Sequence, residues 1–519
     1  MLHQYNILSF VGSLDDVFEA IDYARLKPFK AKYADWMQIS KTWYDGVGGE
    51  LNEAGIEFVL AETPGRAQQR IYDRNSNLNF ECELDPGDLH FENTGNAAID
   101  LAVQDCGDSL VPVQLQSLNR QVIRLRHDGA VLEIIAMYDD SATPSRDHKT
   151  AREDSSEPLA NGPVPTSRIK AGLTIALISG DDDALYSLAE ALIRPGALWL
   201  SPENISITSP PTFSPISMKA KKPNFTGDEN PADALGIALG LVATRMCALA
   251  PAIARDRDYF AVYQMRVALR RFRAIERTYR PYLGASAFRH LGVAARDFGR
   301  VLGPARDWDI FVMTKARKFA PAISNLVSLE AFLDAADQHR TETMDAAIIA
   351  INSKAFRDFL LAVARIPSVC QERDVRALFH TPLRDFASDA LDRRYASTFR
   401  NIGRTDQRYD DGRHQVRLAL KKLRYSMQLF QGLYPKVVRA PLQGRIKALQ
   451  DGYGELNDAA KSIALANEIV TGDEQQRLQK FWDQHHASDL EALRIKVAED
   501  LHALREVPVY WRAAFPPMR

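Results

Sequence analysis

The chain has 519 residues, more than one hydrophobic core normally serves, so two or three domains are expected. Its composition, with 46% hydrophobic and 25% charged residues, is typical of an ordinary soluble protein. We find no apolar run long enough to span a bilayer and no signal peptide, so we expect a cytoplasmic location and no membrane partner. The four cysteines lie far apart without metal-ligand spacing, which indicates isolated thiols in a reducing compartment. No metal site and no cofactor are predicted.

Charge is divided unevenly along the chain. The net charge is only −2, but residues 1–230 carry 20 Lys and Arg against 34 Asp and Glu, whereas residues 231–519 carry 45 against 33. This asymmetry indicates two domains with different electrostatic roles. The basic domain should attract anions, and the acidic domain could bind a protein partner of its own.

The first half of the sequence has the pattern of strands with a few helices. Short apolar or β-branched runs predict strands at 131–138 and 173–179, with a weaker candidate at 36–44. Residues 180–196 predict a helix with an acidic first turn. The first domain is therefore assigned to residues 1–208, with a polar, Pro- and Ser-rich insertion at about 139–168 that is expected to be disordered or mobile.

A second Pro- and Ser-containing stretch follows and is interpreted as a linker, residues 209–230. From residue 231 onward Ala, Leu, Arg and Glu dominate with helical periodicity, which predicts an all-α domain over 231–519. We expect eight to ten helices packed as bundles.

An internal repeat is the most informative feature of the second half. The segment VYQMRVALRRFRA (262–274) matches RHQVRLALKKLRY (413–425) at an offset of 151 residues, the difference between positions 417 and 266. The same offset relates LGPARDWD (302–309) to YGELNDAA (453–460). A register kept over about forty residues indicates a duplication, with repeats at about 231–380 and 381–519.

Each repeat contains a helix with one apolar and one cationic face. At about 100° per residue, Tyr263, Arg266, Arg270, Arg273 and Arg277 fall within an arc of roughly 80°. A separate apolar arc faces the core in each copy: Val262, Met265, Leu269 and Phe272 in the first, and Val416, Leu420 and Leu423 in the second. Like charges at these spacings destabilise a helix unless acidic neighbours or an anionic ligand compensate them.

Two explanations of the cationic faces remain open at this point. Asp307, Asp309, Glu455 and Asp458 could neutralise them in ion-pair networks, or the two faces could meet and bind a polyanion. The basic balance of the second half and the repetition of the face favour a ligand. Arginine holds phosphate oxygens bidentately, whereas lysine acts as a point charge.

These motifs resemble the CHAD family, the conserved-histidine α-helical domains, over about 290 residues. The family has a His-x-x-Arg helix with a basic cluster in each of two repeats, and here Tyr263 replaces the first histidine while His414 retains the second. The resemblance implies two pseudo-symmetric helical bundles that bind inorganic polyphosphate without catalysis. The residues expected to contact phosphate are Arg266, Arg270, Arg271, Arg273, Arg296, His414, Arg417, Lys421, Lys422, Arg424 and Lys447.

The first half resembles the CYTH, or triphosphate-tunnel, fold. Segments 41–63, 79–85, 119–140 and 173–192 follow in the family's order, which implies an α+β domain built on an antiparallel β-barrel or tunnel. A tunnel enzyme needs carboxylates for a divalent metal and Lys or Arg for the triphosphate. The positions that should carry them hold instead Tyr5, Ile7, Ser9, Val59, Ala61, Gly172, Thr174 and Ala176.

Only a few charges remain in this domain, namely Glu81, Glu83, Arg120, Arg124 and Glu133. They do not make a metal site, so the resemblance implies a degenerate, inactive tunnel domain with no catalytic residues. The leading hypothesis is thus a non-enzymatic polyphosphate-binding protein targeted to polyphosphate granules. The alternatives are a metal-dependent inorganic triphosphatase, a nucleic-acid binder (not favoured, since no recognition motif is present) and a scaffold with internally neutralised charges.

Overall fold

The computed structural model describes most of the chain. Outside the described residues lie 1–6, 13, 26–30, 74–77, 86–99, 101–105, 107–109, 140–170, 194–197, 202–221, 284–286, 486 and 513–519. The predicted insertion lies almost wholly in this set, as does the predicted linker up to residue 221. The chain divides into two compact units, Met1–Pro215 and Ile216–Arg519.

The N-terminal unit contains an antiparallel sheet, as the sequence predicts. Its strands are β1 (Ile7–Gly12), β2 (Lys32–Tyr33), β3 (Met37–Gly46), β4 (Ile56–Thr63), β5 (Arg66–Asp73), β6 (Leu78–Leu84), β7 (Leu110–His127), β8 (Ala130–Asp139), β9 (Ala171–Ser179) and β10 (Trp199–Leu200). Their order in the sheet is β10-β1-β9-β8-β7-β3-β4-β5-β6, with β2 paired to β7. Its helices are α1 (Leu14–Arg25), α2 (Glu50–Glu53) and α3 (Asp182–Leu192).

The strand and helix predictions for this unit are confirmed. The three predicted runs form parts of β8, β9 and β3. The predicted helix is α3, and its start is fixed by Asp181, whose carboxylate accepts a hydrogen bond from the Asp183 amide at 2.9 Å. Leu8, Phe10, Leu173 and Ile175 form part of the buried side of the sheet, since alternate residues of a strand point to the same face.

The C-terminal unit is helical, as predicted. Its α-helices are α4 (Pro231–Ala254), α5 (Tyr259–Tyr279), α6 (Ala287–Ile310), α7 (Arg317–Ile323), α8 (Leu329–Ile351), α9 (Lys354–Val369), α10 (Arg373–Arg376), α11 (Leu383–Gly403), α12 (Asp410–Leu429), α13 (Lys436–Ile469), α14 (Gly472–His485) and α15 (Ala487–Leu504). A π-helical turn, Phe311–Ala316, continues α6. The expected eight to ten helices are fewer than the twelve α-helices of the described residues, because the periodicity did not resolve two short helices, α7 and α10.

The duplication extends to whole helices. Adding the offset of 151 residues to the first residues of α4, α5 and α6 gives positions 382, 410 and 438, and α11, α12 and α13 begin at 383, 410 and 436. The apolar arcs of the two central helices are buried as predicted, since Val262, Phe272, Val416 and Leu423 each expose 0% of their surface. Two homologous bundles therefore share one helical unit.

One helix corrects the expectation that no apolar run could span a bilayer. Among the described residues α4 is long and apolar enough for that, with a mean hydropathy of 1.8 over its most apolar window. Its apolar side chains, including Leu235, Leu239 and Ile253, are buried where α4 packs against α5 and α9. This burial is typical of the core helix of a helical bundle.

Candidate anion-binding site

The two cationic helices, α5 and α12, come from different repeats and pack against each other. Asp258 starts α5 by accepting a hydrogen bond from the Phe260 amide at 2.7 Å. Each helix buries its apolar arc against its own bundle, so the adjoining cationic arcs lie along the contact between the repeats. We call the cations on this contact the cationic seam, and it consists of two clusters.

The first cluster combines cations from both repeats. Burial lowers the pKa of Arg417, and the charge of Arg270 on the other repeat lowers it further, whereas Asp458 and Asp307 oppose this. Burial and the charge of Arg270 also lower the pKa of Arg266. The Arg266 guanidinium donates a hydrogen bond from Nη1 to the carbonyl of Gly299 on α6 at 2.7 Å. The cluster consists of Arg266, Arg270, Arg417, Lys421 and Arg424.

Lys421 is the most strongly perturbed member of the first cluster. Burial lowers the pKa of its ammonium group to about 7, and the charges of Arg417, Arg270 and Arg424 act in the same direction against Asp458. A lysine half-neutral near pH 7 marks a place where positive charge exceeds the available compensation. An anion bound at this point would restore the lysine's charge.

The second cluster lies further along α5. Burial lowers the pKa of Arg273 to about 10, and the charges of Arg277 and Arg296 contribute. Burial also lowers the pKa of Lys422 on the other repeat, with contributions from Arg277, Arg394 and Arg273. The second cluster therefore consists of Arg273, Arg277, Arg296, Arg394 and Lys422.

Acidic residues neutralise only part of the seam. Asp307 pairs with Lys461 at 3.3 Å and Asp458 pairs with Arg417 at 3.6 Å. Asp309 pairs with Arg306 at 2.7 Å and with Arg340 at 3.2 Å, so its charge is used beside the seam. Among the described residues, Asp458 is therefore the one of the four predicted acids that forms an ion pair with a cation of the seam.

Most of the predicted contact residues keep an uncompensated charge. Within the part of the chain that the structure describes, seven of the eleven are arginines or lysines with no carboxylate oxygen within 4.0 Å. They are Arg266, Arg270, Arg271, Arg273, Lys421, Lys422 and Arg424. The Nε atoms of Arg270 and Arg424 are also shielded from solvent without a hydrogen-bond partner. Unpaired buried charges are costly, and an anion bound here would compensate them.

The two repeats differ at the position of the family histidine. His414 Nδ1 is 2.8 Å from Oδ1 of Asn457. At the equivalent positions of the first repeat, the Arg306 guanidinium lies over the ring of Tyr263, 4.8 Å from its centroid. The second repeat therefore has a His–Asn pair where the first has a Tyr–Arg pair, and Arg306 adds a cation near Arg266.

Besides His414, two predicted contact residues belong to neither cluster. Lys447 is exposed and pairs with Asp451 on its own helix at 3.2 Å. Arg271 points to a cleft between α4, α5 and α12 that also contains Arg245. Their proposed contacts with phosphate remain predictions.

Sequence reasoning missed Arg394 and left Arg306 and Arg277 out of the contact set. Arg394 lies on α11, outside both repeat motifs, so nothing in the sequence connects it with Lys422. Arg277 was recognisable, because it follows Arg273 by four residues on the same helix face.

In the N-terminal unit the predicted tunnel positions share one face of the sheet. Ile7 and Ser9 on β1 pair with Ala176 and Thr174 on β9, and the Ser9 and Thr174 hydroxyl oxygens lie 3.1 Å apart. On β7 and β8 Arg124 and Glu133 form an ion pair at 3.1 Å. Tyr5 and the side chain of Glu81 lie outside the described set.

Lys41 lies on β3 of this sheet and is fully buried. Its Nζ atom has no hydrogen-bond partner among the described residues. Burial, together with the charge of Arg70, lowers the pKa of its ammonium group to about 7 against the effect of Glu57. The N-terminal unit thus retains a buried cation that packing alone does not explain.

Comparison with known proteins finds one family model that matches the helical unit. It is the CHAD domain model, and the match covers residues 238–467. A comparison with curated proteins finds no match to this sequence.

Solved structures resemble each unit separately. The CHAD domain from the plant Ricinus communis is 19% identical, with a TM-score of 0.41, and the match covers 58% of this chain and 98% of that one. PptA from Streptomyces chartreusis is 19% identical, with a TM-score of 0.37, and the match covers 52% of this chain and 99% of PptA. A Hippeastrum protein described as a putative adenylyl cyclase with a dominant triphosphatase activity is 12% identical, with a TM-score of 0.22. That match covers 36% of this chain and 83% of the Hippeastrum protein.

Proposed function

We propose that this protein binds inorganic polyphosphate along the cationic seam of its CHAD domain and does so without catalysis. The observation that carries the proposal is the meeting of Arg270 from one repeat with Arg417 and Lys421 from the other, where two of the three have no carboxylate partner among the described residues. A continuous anion would compensate all of them at once.

A linear phosphate polymer suits the seam better than a compact anion. The first cluster surrounds Arg270 and the second surrounds Arg273, one helical turn further along α5, so a ligand must extend along the helix to reach both. Guanidinium groups hold phosphate oxygens bidentately, and polyphosphate offers such oxygens at every unit.

The seam lacks the features that single-stranded nucleic acid requires. Base recognition depends on aromatic side chains interleaved with the cations. The ring of Tyr263, on the cationic arc of α5, is covered by Arg306, and the ring of Tyr425, 5.9 Å from the guanidinium of Arg424, is buried. Polyphosphate has no bases, so its affinity does not depend on aromatic stacking surfaces.

Titration of the full chain tests the proposal. Long-chain polyphosphate and single-stranded DNA of equal total charge should be compared by calorimetry between about 50 and 300 mM salt, over which the Debye length falls roughly 2.4-fold. We expect tighter binding of polyphosphate and an affinity that falls steeply with salt, as counterion release requires. Equal affinity for both polymers would favour a general polyanion binder, and no binding would favour the scaffold.

The N-terminal unit is proposed to lack triphosphatase activity. Ile7, Ser9, Thr174 and Ala176 occupy the face where carboxylates would have to hold a metal, and hydroxyl and alkyl groups are poor ligands for Mg²⁺. The alternative, a metal-dependent triphosphatase, predicts phosphate release from tripolyphosphate with Mg²⁺ or Mn²⁺ that Glu83→Gln abolishes. Release above the no-enzyme rate would overturn this part of the proposal.

Polyphosphate binding would bring the protein to polyphosphate granules in the cytoplasm. A fluorescent fusion should then co-localise with granules and become diffuse in cells unable to make polyphosphate. A fusion whose distribution does not respond to polyphosphate would separate binding in solution from targeting in the cell.

A further inference from the structure

A second cleft opens between α4, α5 and α12 and differs in chemistry from the seam. Its body is formed by Leu241, Val242, Val267, Ala268, Ile275 and Leu429. An apolar body with a few polar groups at its border is typical of a site for a small organic molecule. Polyphosphate has no apolar part that could occupy it.

Two arginines without partners border this apolar cleft. Arg245 and Arg271 both line it, and neither has a hydrogen bond or ion pair among the described residues. The Nε and Nη2 atoms of Arg245 are shielded from solvent and still lack an acceptor. Native proteins satisfy nearly all such buried donors, so an orphaned guanidinium beside a cavity indicates an absent acceptor.

The charges around the cleft have one sign. Burial lowers the pKa of Arg245, and the charge of Arg271 lowers it further, so the two guanidinium groups act on each other. None of the described residues that line the cleft carries a carboxylate; its other polar lining includes Lys222 and the amides of Gln264 and Gln428. The arrangement fits a ligand with an anionic head at the arginines and an apolar body between the helices.

We propose that this cleft binds a small organic anion: one carboxylate or phosphate head held by Arg245 and Arg271, joined to an aliphatic or ring-shaped body. The cleft has its own lining and its proposed ligand is not polyphosphate, although the charge of Arg424 in the first cluster acts on Arg271. Carboxylate and phosphate oxygens are both acceptors that a guanidinium fork holds bidentately, so the two headgroups are distinguished by experiment.

Calorimetric titration of the full chain tests this site with defined probes. Decanoate and decyl phosphate carry the two headgroups, decanol carries the chain without charge, and acetate and inorganic phosphate carry the charge without the chain, all below their micellar concentrations. We expect decanoate or decyl phosphate to bind one per chain and at least about tenfold more tightly than decanol. The tighter of the two assigns the headgroup.

Variants separate the head contact from the apolar contact. Arg245→Met keeps the hydrophobic stem and should reduce the preference for the anion over decanol to below about threefold, whereas Val267→Phe should fill the cleft and abolish binding of every probe. Arg289→Met, on the exposed surface of α6, is the matched control and should bind as the original chain does. Circular dichroism establishes that each variant is folded, and Val267→Phe serves if Arg245→Met is not.

Three results would overturn the proposal. They are binding of decanol as tight as that of both anions, retention of the anion preference by folded Arg245→Met, and failure of every probe to bind the folded chain. Each would show that the orphaned arginine and the apolar cleft do not form one site.

Discussion

The guanidinium of Arg266 occupies the space that a side chain at position 303 would need. A Cβ atom added to Gly303 would lie 2.9 Å from Arg266 Nη1, and the same nitrogen donates a hydrogen bond to Gly299 one turn earlier on α6. At the equivalent place in the second repeat, a Cβ on Gly454 would lie 3.8 Å from Arg417 Nη2, which is an ordinary contact. Arg266 therefore requires a glycine at position 303, whereas Arg417 leaves room for a methyl group at position 454.

Gly303→Ala should reduce polyphosphate affinity while leaving the fold intact. The methyl group displaces the flexible end of Arg266 and not the backbone, so the loss of the bond to Gly299, about 1–2 kcal/mol, is offset by a gain of about 0.5–1 kcal/mol in helix propensity. Calorimetry should show that polyphosphate binds about threefold to tenfold more weakly. Urea unfolding should show little change in the free energy of unfolding. Gly454→Ala and Gly444→Ala are the controls, and equal losses for Gly303→Ala and Gly454→Ala would contradict this account.

Polyphosphate affinity should fall as the pH rises above 7, because of Lys421. In the free protein the pKa of its ammonium group is about 7, and a bound polyanion raises that pKa, so binding takes up a proton in the interval between the two values. Each unit of separation changes the binding free energy by up to about 1.4 kcal/mol at high pH. Below pH 7 the lysine is charged in both states and the dependence should level off.

Lys421→Arg tests that assignment. A guanidinium stays protonated over the whole range, so this variant should bind with little pH dependence between pH 7 and 9. Titration in buffers of different ionisation enthalpy would measure the proton uptake directly. If polyphosphate binding by Lys421→Arg keeps the same pH dependence, a group other than Lys421 is responsible for it.

Tyr263 and Arg306 should be energetically coupled. Tyr263→His together with Arg306→Asn recreates the pair formed by His414 and Asn457. We expect each single change to lower the free energy of unfolding, and the double change to recover about 0.5–1 kcal/mol relative to their sum. Urea unfolding of the four proteins measures this coupling. The matched control is Tyr263→His with Arg300→Asn, on the exposed face of α6, whose effects should add.

Lys41→Met should stabilise the N-terminal unit at pH 7 by on the order of 2–4 kcal/mol. The folded pKa of about 7 lies below the ordinary value of 10.5, so between these values the unfolded state holds more protons and stability rises with pH. Native-state hydrogen exchange of the β3 amides should show this rise in the original chain and its absence in the variant. Lys32→Met, on an exposed strand, is the control and should behave as the original chain does. If Lys41→Met is less stable than the original chain, Lys41 has a stabilising partner.

The helical unit was predictable because its information is periodic. Conserved spacing between the repeats placed Arg266 and Arg417 on equivalent helices, and the apolar arcs identified which faces are buried. Adjacent residues on a helix diverge by about 100°. The sequence therefore could not decide that Arg270 belongs to the seam while Arg271 lines a separate cleft.

The remaining features depend on packing between distant segments. Arg394 acts on Lys422 from α11, outside both repeat motifs, and the periodicity of neither helix indicates this proximity. The exchange of His and Asn for Tyr and Arg is visible in the alignment of the repeats only after the structure shows that positions 263 and 306 touch. Hydropathy likewise could not distinguish α4, a buried helix, from a membrane-spanning helix, because both satisfy the same test of length and apolar composition.

The measurement that tests the central claim most directly compares two variants of equal net charge. One carries Arg266→Ala, Arg270→Ala, Arg417→Ala and Lys421→Ala; the other carries Ala at four exposed cations outside the seam, Arg373, Lys436, Lys480 and Lys496. If the seam binds polyphosphate, calorimetry at about 0.15 M salt should show at least a 100-fold loss for the first and less than about a threefold loss for the second. Equal losses from the two folded variants would show that net charge, and not the meeting of the two repeats, attracts the polymer.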